Sequence, residues 1–148
     1  RQASINAILA VGMTFVIVSG GIDLSVSSTV SLSGTVAAIV MVNLGLGVVA
    51  GLLTGLLVGL IVGAVNGIVI TKASVPPIIA TLGTMTVASG LALAVTGGYS
   101  VSGLPDAFAF FGRGNLGFLP VPVLIVALMY VIGHFTLQKP SSARLFLV

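Results

Sequence analysis

A single carboxylate, Asp23, is the residue whose chemistry stands out first in this sequence. It lies in the segment SGGIDLSVSS, residues 19–28, and is the only acidic residue among the first 105 positions. In an apolar chain an ionised side chain is a candidate functional group by default. Side chains just before a helix also accept hydrogen bonds from its free amide groups, and the expected acceptors here are Asp23, Ser25, Ser27 and Ser28. Both roles stay open, and the candidate site residues of this segment are Gly20, Gly21, Asp23, Leu24 and Ser25.

A second polar segment, KASVPPIIATLGT, occupies residues 72–84. Its Pro pair suits the first turn of a helix, where a missing N–H costs little, and Ser74 is a candidate N-cap. The segment is rich in Thr and Gly for a membrane entry. It predicts either a broken or re-entrant element lined by protein or a plain helix started by the Pro pair. The candidate site residues here are Pro76, Pro77, Thr81 and Gly83.

Several kinds of chemistry lack the residues that they need. No second carboxylate or His lies near Asp23 in the sequence, so we predict no catalytic residue. The single His134, among aromatic neighbours, fits a membrane interface better than a ligand position. Without Cys or a cluster of His and carboxylates, we predict no metal site and no cofactor. No glycine-rich phosphate loop precedes Lys72 or Lys139, so we do not expect this chain to hydrolyse ATP.

The composition indicates what surrounds these residues. Five Lys or Arg and two acidic residues are the only charges in 148 positions, and 57% of the residues are apolar, whereas a soluble domain is about 25% charged. A soluble chain of this length needs far more polar surface, and a disordered chain has far fewer apolar residues. The basic residues form no cluster, so nucleic-acid binding is not predicted. A protein embedded in the lipid bilayer fits this composition.

The gaps between charges predict the helices that position the two polar segments. Uncharged stretches at 2–22, 24–71, 73–105 and 114–138 are each long enough to cross a hydrocarbon core about 30 Å thick. The stretch 24–71 holds two crossings with a turn at NLGLG, residues 43–47. The fourth and fifth crossings cover roughly 76–96 and 118–137. The predicted fold is therefore all-α, a polytopic bundle of about five transmembrane helices.

The connection 97–117 is the one long polar-tolerant segment. It predicts a short interfacial helix with Pro105 and Asp106 in its first turn and Gly112 as its stop. This helix is either a contact for a soluble partner or a lid on the bundle. The connection should face the outside, because the basic residues that the positive-inside rule assigns to the cytoplasm are Lys72, Lys139 and Arg144.

Glycine recurs every four residues along the predicted third helix. Such a stripe winds slowly around a helix of 3.6 residues per turn, and small residues at this spacing let helices in lipid approach closely. The stripe indicates either a static helix–helix contact or a mobile, closely packed helix near a translocation path. Its members are Gly47, Gly51, Gly55, Gly59, Gly63 and Gly67.

The polar segments and their surroundings resemble the permease subunits of bacterial sugar ABC importers. These are of the ribose, xylose and galactose type, and are related more distantly to branched-chain amino-acid permeases. The resemblance covers about residues 2–137 and rests on NAILAVGMTFVI (6–17), SGGIDLSVSS (19–28), GAVNG (63–67), VPPIIATLGT (75–84) and FLPVP (118–122). At Ser27 the family usually has Gly, and the tail 138–148 does not match. The resemblance thus implies a partial permease domain at 1–137, a divergent tail, and a fragment of a longer protein.

The resemblance also implies a function and partners. It implies a multi-pass protein of the bacterial inner membrane that moves a pentose or hexose. The implied partners are a second permease subunit, expected to be an identical copy, a cytoplasmic ABC ATPase that hydrolyses the ATP, and a periplasmic solute-binding protein. The alternatives are an ABC permease for another small solute, such as a nucleoside or a branched-chain amino acid, and a structural membrane subunit that transports nothing.

Overall fold

The computed structural model describes residues 2–138, and this range forms six α-helices and one short β-hairpin. The helices are α1 (Gln2–Val18), α2 (Val26–Val42), α3 (Gly47–Lys72), α4 (Pro77–Thr96), α5 (Asp106–Arg113) and α6 (Val121–Gln138). The hairpin pairs β1 (Asn115–Leu116) antiparallel to β2 (Leu119–Pro120). Lys139 and Arg144, which were expected on the cytoplasmic side, and the tail from 139 onward lie outside the described residues.

The chain divides into two compact units. The central unit is Asp23–Ala107, and the flanking unit combines the described residues before and after it. In the central unit α2 packs against both α3 and α4, and α3 also packs against α4. Its core is formed by buried Leu32, Ala88 and Ala92, with valines of α2 and α3 packed against them. In the flanking unit α1 packs against α6, where Gly133 lies against Val11 and Phe15.

The helices carry the apolar surface that a membrane protein requires. α3 has 26 residues, which is about 39 Å at 1.5 Å per residue. Leu56 and Leu60 of α3 are 72% and 69% exposed, as expected of side chains that face lipid instead of a protein core. Among the described residues, α3 and α4 are long and apolar enough to cross a membrane, and α1, α2 and α6 contain shorter apolar stretches. The fold is an all-α membrane helix bundle.

The predicted helix boundaries agree with the structure within a few residues, and the turn at 43–47 and the short helix after Pro105 are confirmed. The short helix ends at Arg113, one residue beyond the predicted stop. The hairpin was not predicted, and it delays the start of the last helix to Val121. The hairpin turn uses Gly117 at a φ of +63°, a conformation that glycine adopts without strain.

Three expectations about helix starts are wrong. Ser74 does not cap α4, because it adopts a φ of +53° and the residue at the N-cap is Pro76. The Ser25 side chain makes no capping bond at α2. The Ser28 hydroxyl donates to the carbonyl of Ser25 at 2.8 Å, and no amide of the described residues donates to it. α4 itself runs without interruption from Pro77, which favours the plain Pro-started helix over a broken one.

Candidate functional site

Four polar side chains from three helices of the central unit form one continuous hydrogen-bonded chain. The Ser25 hydroxyl and backbone N–H lie 2.6 Å and 2.7 Å from Oδ1 of Asp23. Nδ2 of Asn66 in α3 lies 2.9 Å from the Ser25 hydroxyl. Oδ1 of Asn66 lies 2.5 Å from the Thr84 hydroxyl in α4. We call these four residues, Asp23, Ser25, Asn66 and Thr84, the polar network.

The carboxylate fixes the direction of every bond in the polar network. The Ser25 hydroxyl donates to Oδ1 of Asp23, as the Ser25 backbone N–H does. The same hydroxyl is then an acceptor for the Asn66 amide nitrogen. The Asn66 carbonyl oxygen is left to accept from Thr84. The network therefore pairs these groups in turn and ends on Oδ1 of Asp23.

The network is buried where it joins the helices. Ser25 is 0% exposed and Asn66 is 6% exposed, and no buried side-chain polar atom in the described part of the chain lacks a partner. Burying polar groups is tolerated only when they are hydrogen-bonded. The bond from the Ser25 N–H to Asp23 also closes an Asp turn at the entry of α2. Asp23 thus supports the start of a helix and anchors an interhelical network at once.

The other residues predicted for the site belong either to the central unit or to the flanking unit. In α4, Thr81 is 1% exposed and its hydroxyl donates to the carbonyl of Pro77 at 2.8 Å, whereas Gly83 is exposed with open space around it. Leu24 is 41% exposed beside the network. Gly20 and Gly21 belong to the flanking unit, where Gly20 adopts a φ of +77° after α1.

Half of the glycine stripe lies against α2. A methyl group on Gly51 would lie 2.9 Å from the Ala37 carbonyl oxygen and would overlap the Met41 side chain. The equivalent position at Gly55 lies 3.3 Å from Cβ of Ala37, and that at Gly59 lies 3.6 Å from the Ser33 hydroxyl. These contacts step backward along α2 as they step forward along α3, so the two helices are antiparallel. The other members, Gly47, Gly63 and Gly67, have nothing within 4 Å.

The polar network connects the entry of α2, α3 and α4 through hydrogen bonds. Within residues 2–138 no group of three His, Cys, Asp or Glu side chains could hold a metal ion.

The two residues of the polar network that the sequence did not predict are Asn66 and Thr84. A signal for Asn66 was present, since a lone amide in a 26-residue apolar helix needs a buried partner in lipid.

These features define an all-α membrane protein whose central helices are joined by a buried polar network. The chain belongs to the family described as the permease component of the branched-chain amino acid transport system, whose model matches residues 1–141.

Named relatives agree with this membership. The chain is 47% identical to the ribose import permease protein of Bacillus subtilis over 97% of this chain and 45% of the relative. It is 39% identical to the galactofuranose transporter permease protein of Escherichia coli, over 99% of this chain and 42% of the relative. It is 37% identical to the autoinducer 2 import system permease protein of Yersinia pseudotuberculosis, over 90% of this chain and 39% of the relative. The chain thus spans less than half the length of these relatives. No solved structure matches the chain significantly.

Proposed function

We propose that this chain is part of the permease subunit of an ATP-driven importer that carries a sugar across the bacterial inner membrane. The observation that carries the proposal is the 47% identity to a ribose import permease along almost the whole chain. The exposed apolar faces of α3 and α4 support a multi-pass arrangement in lipid. In this proposal residues 1–137 are part of the permease domain.

The proposal includes three partners. A second permease subunit, taken to be an identical copy, completes the path. A cytoplasmic ATPase supplies the energy, and a periplasmic binding protein delivers the sugar. The orientation places Lys72 in the cytoplasm and the connection 97–117 outside, following the positive-inside rule.

Uptake by cells tests the function. A strain that lacks the gene containing this chain, and the same strain with the gene restored, should differ in uptake of labelled D-ribose or another pentose or hexose. Restoring the gene without its neighbouring ATPase gene should not recover uptake. Equal uptake of every tested sugar by the two strains would overturn the sugar assignment.

The chain offers a direct test of orientation, because it contains no cysteine. In intact cells a membrane-impermeant thiol reagent should label Ser102→Cys and leave Ser74→Cys unlabelled. Labelling of both only after the membrane is opened, or the reverse pattern, would contradict the proposed orientation.

A second candidate function is import of a different small solute. The identity to an autoinducer 2 import permease favours this candidate specifically. Competition decides between the two: unlabelled autoinducer 2 in excess should leave D-ribose uptake unchanged if a sugar is the substrate. Uptake of autoinducer 2 without uptake of any tested pentose or hexose would favour the second candidate.

A further inference from the structure

A cleft lies between α2 and α4 in the central unit, away from the polar network. Its volume is about 650 Å³, within the range of roughly 300–1,000 Å³ typical of small-molecule sites. Apolar side chains, among them Val30 and Leu93, form part of its wall. Hydroxyl groups line the rest, and we call this cavity the hydroxyl cleft after Ser31, Thr35, Ser89, Thr96, Tyr99 and Ser100.

Most of these hydroxyls have no partner among the described residues. Threonines in the helices of this chain generally donate to a carbonyl one turn back, as Thr54, Thr86 and Thr96 do. Within the described residues, Thr35 has no such bond, and the side chains of Ser31, Ser89, Tyr99 and Ser100 make none either. Ser31, Ser89, Tyr99 and Ser100 are exposed and Thr35 is half-buried, so their hydroxyls are open to water or to a ligand. A ligand that displaces this water must replace its hydrogen bonds, because an unpartnered hydroxyl is costly away from water.

The chemistry of the lining selects the class of ligand. The charged residues of the described range are Asp23, Lys72, Asp106 and Arg113, and none of them lines the cleft. A charged solute such as a zwitterionic amino acid would find no counter-charge there. A neutral molecule that carries several hydroxyl groups would pair with the free hydroxyls. Its C–H surface would pack on the apolar wall and on the ring of Tyr99.

The cleft runs from the middle of α2 and the second half of α4 to the end of the unit where a solute would enter. The polar network joins Ser25 at the start of α2 to Thr84 in the first half of α4 through Asn66 near the end of α3. Asn43, at the other end of α2, shares a cavity with Thr96 at the end of α4. α2 and α4 are therefore parallel, and the hydroxyl cleft reaches the segment 98–101 that follows α4. A second cavity of about 290 Å³ adjoins it and extends to Asn43 at the other end of α2. In the proposed orientation this end faces the outside.

We propose that the hydroxyl cleft is a subsite for a neutral polyhydroxylated solute, a monosaccharide, on the path through the permease. The inference rests on the proposed sugar-import function and adds the place where the sugar is held. Thr35 and Ser89, from the two facing helices, are the residues that would donate to or accept from its hydroxyl groups.

Protection of introduced cysteines tests the subsite directly. The assembled importer in membrane vesicles, with Thr35→Cys or Ser89→Cys in this chain, is treated with a neutral maleimide with and without D-ribose. At a sugar concentration ten times its Kd, about one site in eleven stays free, so labelling should slow about tenfold. Ala94→Cys, on α4 but outside the cleft lining, is the matched control and should react at one rate throughout. L-valine should protect none of the three positions.

Milder substitutions separate a binding role from a structural one. Thr35→Val and Ser89→Ala each remove a hydroxyl and should lower the D-ribose transport rate about 2- to 12-fold at unchanged permease abundance, the factor for one neutral hydrogen bond. Thr86→Val, whose hydroxyl bonds only to its own helix, should keep the unaltered rate. If the unaltered importer takes up D-ribose but no cysteine is protected and both variants transport normally, the subsite is refuted while the proposed function stands. If the unaltered importer takes up no sugar, both the subsite and the proposed sugar-import function are refuted.

Discussion

Replacing Asn66 with Leu should destabilise the central unit by removing the middle of the polar network. Leu has the same number and branching of side-chain heavy atoms as Asn, so the substitution deletes hydrogen bonds without opening a cavity. The two bonds lost are the donation to the Ser25 hydroxyl at 2.9 Å and the acceptance from Thr84 at 2.5 Å. They connect α3 to the entry of α2 and to α4. The variant therefore measures what holds the three helices together beyond apolar packing.

The expected loss in the free energy of unfolding depends on the hydrogen-bond partners that Thr84 and Ser25 keep in the variant. Thr84 keeps the carbonyl of Ala80 at 3.1 Å, and the Ser25 hydroxyl keeps Asp23, so no donor is stranded. Interhelical hydrogen bonds in membrane proteins average about 0.6 kcal/mol and reach about 1.7 kcal/mol. Asn66→Leu should therefore cost about 1–3.5 kcal/mol. Ser25→Ala should cost more, because it leaves the buried Asn66 amide without its acceptor, a penalty of about 1–3 kcal/mol in itself.

A double-mutant cycle measures the coupling. The purified chain in mixed micelles is unfolded with increasing dodecyl sulfate, and helix content is followed by circular dichroism. With Asn66 already replaced, Ser25→Ala strands no amide, so the double variant should cost at least about 0.6 kcal/mol less than the sum of the singles. Asn6→Leu, at an exposed Asn of α1, is the matched control and should change stability by less than about 0.5 kcal/mol. Additive costs, or an Asn66→Leu variant as stable as the control, would refute the network as a stabilising unit.

Three further predictions use the same unfolding assay. Gly51→Ala should lower the free energy of unfolding by about 1–3 kcal/mol, because its methyl group would press on the Ala37 carbonyl. Gly63→Ala, in open space on the same helix, should instead raise it by up to about 1 kcal/mol. Equal effects of the two substitutions would contradict the packing argument. Ser74→Gly should stabilise by about 0.5–1 kcal/mol by relieving the left-handed φ of +53°, and a loss of stability would count against that conformation. Asp23→Ala should cost about 1.5–3 kcal/mol and Asp23→Asn less, since the amide oxygen keeps the turn as a neutral acceptor; the opposite order would exclude a hydrogen-bonding role.

The long helices were predictable because membrane thickness and the rarity of charge constrain them strongly. Uncharged runs of 21 or more residues leave little choice of where a helix begins and ends. The hairpin before α6 was missed, since strands of two residues leave no alternating pattern to read. Ser74 was misjudged as a cap, because Ser is common at helix starts and a sequence does not reveal the sign of φ. Local sequence rules therefore predict the long helices, and they fail at the turns that connect them.

The polar network was out of reach for a different reason. Its bonds join Ser25 to Asn66 across 41 residues and Asn66 to Thr84 across 18. No periodicity within a single helix encodes such a pairing. What the sequence did show was a carboxylate of undecided role, and the structure adds its hydrogen-bond partners, which no local pattern identified.

The polar groups of the central unit form two sets, and this division separates the structural groups of the network from the groups proposed to bind a solute. At one end the segments SGGIDLSVSS, GAVNG and VPPIIATLGT, far apart in the sequence, meet at Ser25, Asn66 and Thr84 with their hydrogen bonds satisfied. Oδ1 of Asp23 accepts two hydrogen bonds from Ser25, so this carboxyl group has a structural role in the network. From the middle of α2 towards the other end, most hydroxyls of the cleft, among them Thr35 and Ser89, have no partner among the described residues. The carboxyl group that first attracts attention in the sequence is thus part of a contact between helices, and the less conspicuous hydroxyls of the cleft are the better candidates for contact with a sugar.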